Sequence, residues 1–119
     1  MTSTIIYKIC TQQEWEEAVI AGIYHGSSVD RQDGFIHFST AEQVRETAEK
    51  HFVGQADLVL VACESERIGP YLRWEPSRND ALFPHLYGVL PVDAAVSVMP
   101  LDLSPQGVPL VPDLSPRSS

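Results

Sequence analysis

The run Leu58-Val59-Leu60-Val61-Ala62-Cys63 has no polar interruption. A strand with one wet face places polar residues at every second position, so a strand without them must be covered on both sides. The run is far shorter than the roughly 18 apolar residues a membrane-spanning helix takes, and no other stretch of the chain approaches that length. It therefore predicts a central strand with packing above and below. At 119 residues the chain has the length of one domain.

The remaining elements must be arranged around that strand. Ile5 to Cys10 is β-branched and aromatic, and Thr11-Gln12-Gln13-Glu14 follows at once with the spacing of a capping box. Trp15, Ala18, Val19 and Gly22 then recur at helical intervals, with Gly22 expected to end the helix. Residues 23–34 are small and polar and read as a loop feeding a short strand, Phe35 to Ser39. Ser39-Thr40-Ala41-Glu42 offers a second capping box, and Ala41, Val44, Ala48 and Phe52 give the stripe of a second helix that stops near Gly54. Leu72 to Glu75 alternates in polarity before Pro76 and reads as an edge strand, with a turn from Ser77 to Asp80. Pro84 to Gly88 and Ala95 to Met99 supply two further strands. Beyond Leu103, residues 104–119 are rich in Pro and Ser and read as a loosely held tail, which leaves residues 1–103 as the domain.

Two helices in the N-terminal half followed by strands are not the alternation of a doubly wound sheet, so the expected class is a small α+β domain. No G-x-G-x-x-G or phosphate-loop pattern is present, and no G-x-S-x-G elbow. Eight basic against sixteen acidic side chains give a net charge of −8, which opposes nonspecific nucleic-acid binding. The first residues carry no basic stretch leading into a long apolar run, so a cytoplasmic protein without a membrane anchor is expected. Cys10 and Cys63 both lie in apolar strand runs and are expected to be buried free thiols. Four histidines and two cysteines show neither C-x-x-C nor H-x-x-x-H spacing, which does not suit a zinc site.

Three alternating segments carry the candidate chemistry. In an extended Phe35 to Ser39, the side chains of Phe35, His37 and Ser39 share one face, with Ile36 and Phe38 on the other. His37 and Ser39 would form a polar floor beside a helix start; the bland alternative is a capping serine and a structural histidine. Around Trp74, Arg73 and Glu75 share a face, with Leu72 and Trp74 opposite. Glu75 can take a sugar hydroxyl or stabilise positive charge, with Arg73 or Arg78 on a phosphate; a solvated ion pair is the competing reading. Phe83, His85 and Tyr87 also share a face, as an aromatic platform or as core packing. The side chains of His37, Ser39, Glu75, His85 and Tyr87 are expected to line one cleft, and Trp15, Ile36, Phe38, Leu60 and Trp74 to be buried together. Since its neighbours face the core and it does not, His37 is expected to be removable without loss of the fold.

Asp33-Gly34-Phe35-Ile36-His37-Phe38-Ser39-Thr40, Leu72-Arg73-Trp74-Glu75 and Phe83-Pro84-His85-Leu86-Tyr87-Gly88 resemble the bacterial domain-of-unknown-function family 952, over about residues 5 to 103. That family is in turn distantly similar to ADP-ribosyltransferase-like proteins, RNA 2′-phosphotransferases among them, which pair a first strand, a helix ending in Gly and an H-x-S strand. The resemblance implies two short sheets split around a cleft that takes NAD, with glycosidic cleavage at the nicotinamide ribose. His37 and Glu75 would be the catalytic residues, and Lys8, Ser39, Arg73, Arg78, His85 and Tyr87 the binding ones. Lys8 stands where related enzymes commonly carry His or Arg, and no motif fixes their late catalytic Glu, so Glu75 is chosen by chemistry. The expectation is an NAD-utilising transferase or hydrolase. The alternative is a binding module of the same fold for a nucleotide, ADP-ribose or an RNA end.

Overall fold

The computed structural model describes residues 4–77 and 80–114. In chain order the elements are β1 (Ile5–Thr11), α1 (Gln12–Ala21), β2 (Ile23–Tyr24), α2 (Ser28–Asp33), β3 (Ile36–His37) and α3 (Val44–His51), then β4 (Leu58–Glu64), α4 (Ser65–Ile68), β5 (Leu72–Pro76), β6 (Leu82–Leu86), β7 (Leu90–Pro91) and β8 (Ala95–Leu101). β4 is central in its sheet, antiparallel to β1 on one side and to β8 on the other. Its odd-numbered residues Val59, Val61 and Cys63 enter a hydrophobic cluster with Ile6, Cys10, Trp15 and Ile36. Its even-numbered residues Leu58, Leu60 and Ala62 enter a second cluster with Tyr7, Ile9, Val44 and Ala48. The uninterrupted apolar run thus serves two cores at once. Leu60 accordingly lies across the sheet from Trp15, Ile36 and Phe38 instead of beside them.

The handover from β1 to α1 follows the sequence pattern. Thr11 Oγ1 accepts from the Glu14 amide at 3.0 Å, and Glu14 Oε1 accepts from the Thr11 amide at 2.9 Å, so two otherwise orphaned donors are satisfied. Gly22 ends the helix in a left-handed conformation, with φ of 86°, and its N–H donates to the Ala18 carbonyl. Trp15 and Ala18 are buried while Val19 stays exposed. Cys10 and Cys63 are buried free thiols, and removal from water pushes both up to about 12.

The structure departs from the expected two sheets and two helices: among the described residues there are three antiparallel sheets and four helices. A two-stranded ribbon pairs β2 with β7, and a third sheet runs in the order β3-β6-β5. Residues 23–34, expected to be a loop, hold β2 and α2. The second predicted capping box is not formed. Ser39 instead makes a backbone bridge to Tyr7, its amide and carbonyl exchanging bonds of 2.9 and 2.8 Å with that residue, and its hydroxyl lies 3.0 Å from Thr47 Oγ1. α3 therefore starts four residues later, at Val44 with Gln43 in the cap position.

In the third sheet Ile36 faces Leu86, His37 faces His85, and Arg73 faces His85 from the other side. Ile36 and Leu86 enter the first core, with Leu72 packed against it. The opposite face carries His37, Phe83, His85, Arg73 and Glu75. Trp74 shares the core-side face but is 41% exposed, against the expectation of a core residue, because β5 is the outer strand and overhangs the cluster. The Pro- and Ser-rich segment docks over residues 104–114: Gly54 N donates to Gly107 O, Arg45 Nη2 donates to Val111 O, and Val111 and Leu114 lie against the second core. Residues 115–119 of the predicted tail lie outside the described residues. No helix among the described residues is long and apolar enough to cross a membrane.

Candidate functional site

The site is built on α2, a helix of six residues with no apolar stripe. Ser27 Oγ accepts from the Asp30 amide at 3.2 Å, and Asp30 Oδ2 accepts from the Ser27 amide at 2.9 Å, a capping box that starts the helix. Asp30 is the only buried residue of α2, at 2% exposure. The chain before it passes close over its side chain. A Cβ at position 26 would come within 2.8 Å of Asp30 Cβ, and φ there is 99°, so Gly26 is required on both counts.

Asp30 is the hub of the polar interior. Oδ2 lies 2.7 Å from the Lys8 ammonium, which β1 brings in with only 6% of its side chain exposed. Oδ1 accepts from the His37 ring at 2.6 Å and from the His37 amide at 3.2 Å. Burial alone would raise the Asp30 carboxyl, but the hydrogen bond from His37, the charge and hydrogen bond of Lys8, and the Ser27 amide outweigh it and hold the group well below the usual carboxylate range.

His37 Nε2 lies 2.9 Å from Asp33 Oδ2, so both of its ring nitrogens face carboxylate oxygens. That ties the ring to α2 and leaves no nitrogen free for a ligand. His37→Ala is therefore expected to lower stability by about 1.5 kcal/mol, the low end for a charge-assisted bond because the ring is partly exposed. Equilibrium urea unfolding reads this directly, and an unchanged midpoint would return His37 to the removable role.

A second cluster lies on the same sheet face. Phe35 stacks on His85 with centroids 4.2 Å apart, and also touches the rings of His37 at 4.6 Å and Tyr87 at 5.2 Å. Glu75 Oε1 receives both His85 Nδ1 at 2.8 Å and the Tyr87 hydroxyl at 2.6 Å. These hydrogen bonds, Tyr87 first and then His85, lower the Glu75 carboxyl, and the same bond to Glu75 raises the Tyr87 phenol. The Arg73 guanidinium stands 6.0 Å from the Tyr87 ring centroid.

Where β1 and the third sheet diverge they leave an open cleft of about 660 Å³. Lys8, His37, Ser39 and His85 of the predicted residues line it, as do Asp30 and Thr47. Glu75, Tyr87 and Arg73 do not line it; Glu75 is joined to the cleft by its bond to His85, and Tyr87 is bonded to Glu75. Glu75 shares the sheet face of His85 but lies on β5, one strand farther out than Phe83 and His85 of β6, which do line the cleft. Arg78 lies outside the described residues. Among the described lining residues Lys8 is the one lysine or arginine, and Asp30 already engages it. Among the described residues no group of His, Cys, Asp or Glu is arranged to hold a metal ion.

Sequence reasoning missed Asp30, Asp33 and Thr47. For Asp30 a signal existed in the capping-box spacing of Ser27-Ser28-Val29-Asp30.

Comparison with known proteins is consistent with this architecture. No curated protein matches the chain. The X-ray crystal structure of protein CC0527 from Caulobacter crescentus is 51% identical, with a TM-score of 0.87 over 90% of this chain and 94% of that one. The solution NMR structure of CC0527 is also 51% identical, with a TM-score of 0.78 over 88% and 90% of the two chains. The family model described as "Protein of unknown function (DUF952)" matches residues 9–98, most of the domain including both histidine clusters, and the chain belongs to that family.

Proposed function

We propose that the cleft binds a nucleotide-type ligand by its ribose and ring, with His85, oriented by Glu75, as the group that meets the sugar. The observation that carries this reading is the 2.8 Å contact of His85 Nδ1 to Glu75, which leaves Nε2 of a cleft-lining imidazole without a protein partner among the described residues. A carboxylate that accepts from Nδ1 fixes the tautomer and makes Nε2 an acceptor for a hydroxyl proton. The Ser39 and Thr47 hydroxyls line the same cleft and suit a ribose. With Lys8 held by Asp30, sugar and ring carry the recognition and the phosphates contribute little.

The order of strand, Gly-ended helix, H-x-S segment, helix and apolar strand, which resembles RNA 2′-phosphotransferases, supports an NAD-type ligand. In the catalytic form of this reading, an NAD-utilising transferase or hydrolase, the C1′–N bond breaks and nicotinamide leaves with the bonding pair. A water or acceptor hydroxyl then bonds to C1′ as its proton passes to His85 Nε2. Glu75 acts there as a positioning residue, replacing the direct catalytic role the sequence assigned to it, and His37 braces Asp30.

Titration calorimetry with NAD, ADP-ribose and adenosine tests the proposal. All three are expected to bind, and His85→Ala to weaken each by about three- to tenfold, the loss of one hydrogen bond. Release of nicotinamide from NAD identifies the transferase or hydrolase form, and binding without release identifies the binding module. Failure of all three ligands to bind the unmutated protein sinks the reading.

A further inference from the structure

β5 is the last strand of the third sheet, and the bonding pattern of its outer edge is fixed by its neighbours. Tyr87 N–H donates to the Tyr71 carbonyl and Ser77 N–H to the Ala81 carbonyl, both at 2.9 Å, so the odd-numbered residues of this segment bond inward toward β6. Bonding direction alternates along a strand, which turns the backbone groups of Leu72, Trp74 and Pro76 to the outside. Among the described residues nothing bonds them. Edge strands commonly carry charges that repel a second strand, but the charges of β5 attract one in a single register. Arg73 and Glu75 stand on one face and Trp74, 41% exposed, on the other. In a second β5 running antiparallel with Trp74 opposite Trp74, Arg73 comes opposite the partner's Glu75, and Glu75 opposite the partner's Arg73. The next register in one direction sets Arg73 against the partner's Arg73, and in the other Glu75 against the partner's Glu75. Registers between these set outward-bonding residues against inward-bonding ones and form no ladder. The pairing centred on Trp74 is thus matched in hydrogen bonding and in charge together. Pro76, which has no N–H, falls at the end of that ladder and stops it from running on.

We propose that the outer edge of β5 is an interface with a second copy of this chain, paired antiparallel about Trp74. Trp74 N–H donates to the carbonyl of the partner's Trp74 and its own carbonyl accepts the same bond in return, while Leu72 N–H donates to the carbonyl of the partner's Pro76. The two indoles lie side by side on one face, flanked by Leu82, which is 52% exposed. On the other face Glu75 has an oxygen to spare. His85 and Tyr87 both use its Oε1, and Oε2 has no hydrogen bond among the described residues, so the partner's Arg73 can take it. The two-fold axis closes the assembly at two copies and joins the two three-stranded sheets into one. The partner thereby contributes a charge to the carboxylate that orients His85, and it does so without entering the cleft, which no residue of β5 lines.

Sedimentation equilibrium of the full chain over a range of concentrations tests the interface, and the average mass is expected to climb from one chain toward two. Arg73→Glu sets like charges opposite each other at both ends of the ladder and is expected to weaken association at least about tenfold, as is Glu75→Arg with the opposite sign. An equimolar mixture of these two variants restores both pairs of opposite charge. It is expected to associate where neither variant does alone, a recovery that damage to either fold would not give. Trp74→Lys leaves Glu75 and its bonds in place, and is expected to be folded by urea unfolding yet monomeric. A single-chain mass at every concentration of the unmutated protein overturns the proposal. Association that Arg73→Glu and Trp74→Lys both leave unchanged overturns it as well, since the copies then meet through another surface.

Discussion

Asp30→Ala is expected to destabilise the protein by about 3–5 kcal/mol, because it leaves the Lys8 ammonium buried without its counter-charge. The same change removes the acceptor for the Ser27 amide and for the His37 ring, so the start of α2 and the orientation of His37 go with it. Replacing both partners together, Lys8→Met with Asp30→Leu, is expected to recover much of the loss, since neither variant side chain then carries an unmatched charge. Equilibrium urea unfolding of the three proteins decides it: a single-mutant loss below about 1 kcal/mol would mean that water reaches Lys8 and the pair is not a structural hub. The pH dependence has a definite sign. The Asp30 carboxyl is lowered in the folded protein, so its stabilisation is fully present above the unfolded value of about 3.9. It is lost as pH falls through the folded value, below the usual carboxylate range.

Phe38→Ala is expected to cost about 3–5 kcal/mol, through lost transfer energy and the cavity left in the first core. Phe38 is 2% exposed and its amide donates to the Pro84 carbonyl, which holds the backbone where the cavity forms and limits collapse. Trp74→Ala removes a larger side chain and is expected to cost much less, because Trp74 lies on the overhanging outer strand. Thermal melting orders the two variants, and a smaller drop for Phe38→Ala than for Trp74→Ala would invert the assignment of inner and outer faces.

These two residues mark how far the sequence could be read. Alternation placed Phe38 correctly because its strand neighbours are polar or aromatic on one face and aliphatic on the other. It also put Trp74 on the core side of its sheet, but periodicity carries no information about which strand lies outermost, and that decides whether an inward side chain has anything to cover it. α1 was legible at both ends, from the Thr11 capping box and from Gly22. α2 was not, because helix recognition rests on an apolar stripe and the one residue α2 buries is a carboxylate. The second capping box failed for a related reason: Ser39 has the spacing of a cap, but its backbone is committed to Tyr7, a partner thirty-two positions away. The grouping of His37, Ser39 and His85 around one cleft was readable from alternation, whereas Lys8 entered only through the family resemblance, and Glu75 and Tyr87 of the expected set do not line it. That Lys8 and His37 both converge on Asp30 was not readable, since ion pairing across the sheets leaves no periodic trace.

The double-sided position of β4 has a consequence for how the molecule comes apart. Each of its residues from Leu58 to Cys63 belongs to one core or the other, with no solvent-facing residue among them to serve as a seam. Neither core can melt while the other persists, because pulling β4 from one strips it from both. The two clusters are thus bound into a single cooperative unit, and the amides of β4 exchange with solvent only when the whole domain opens.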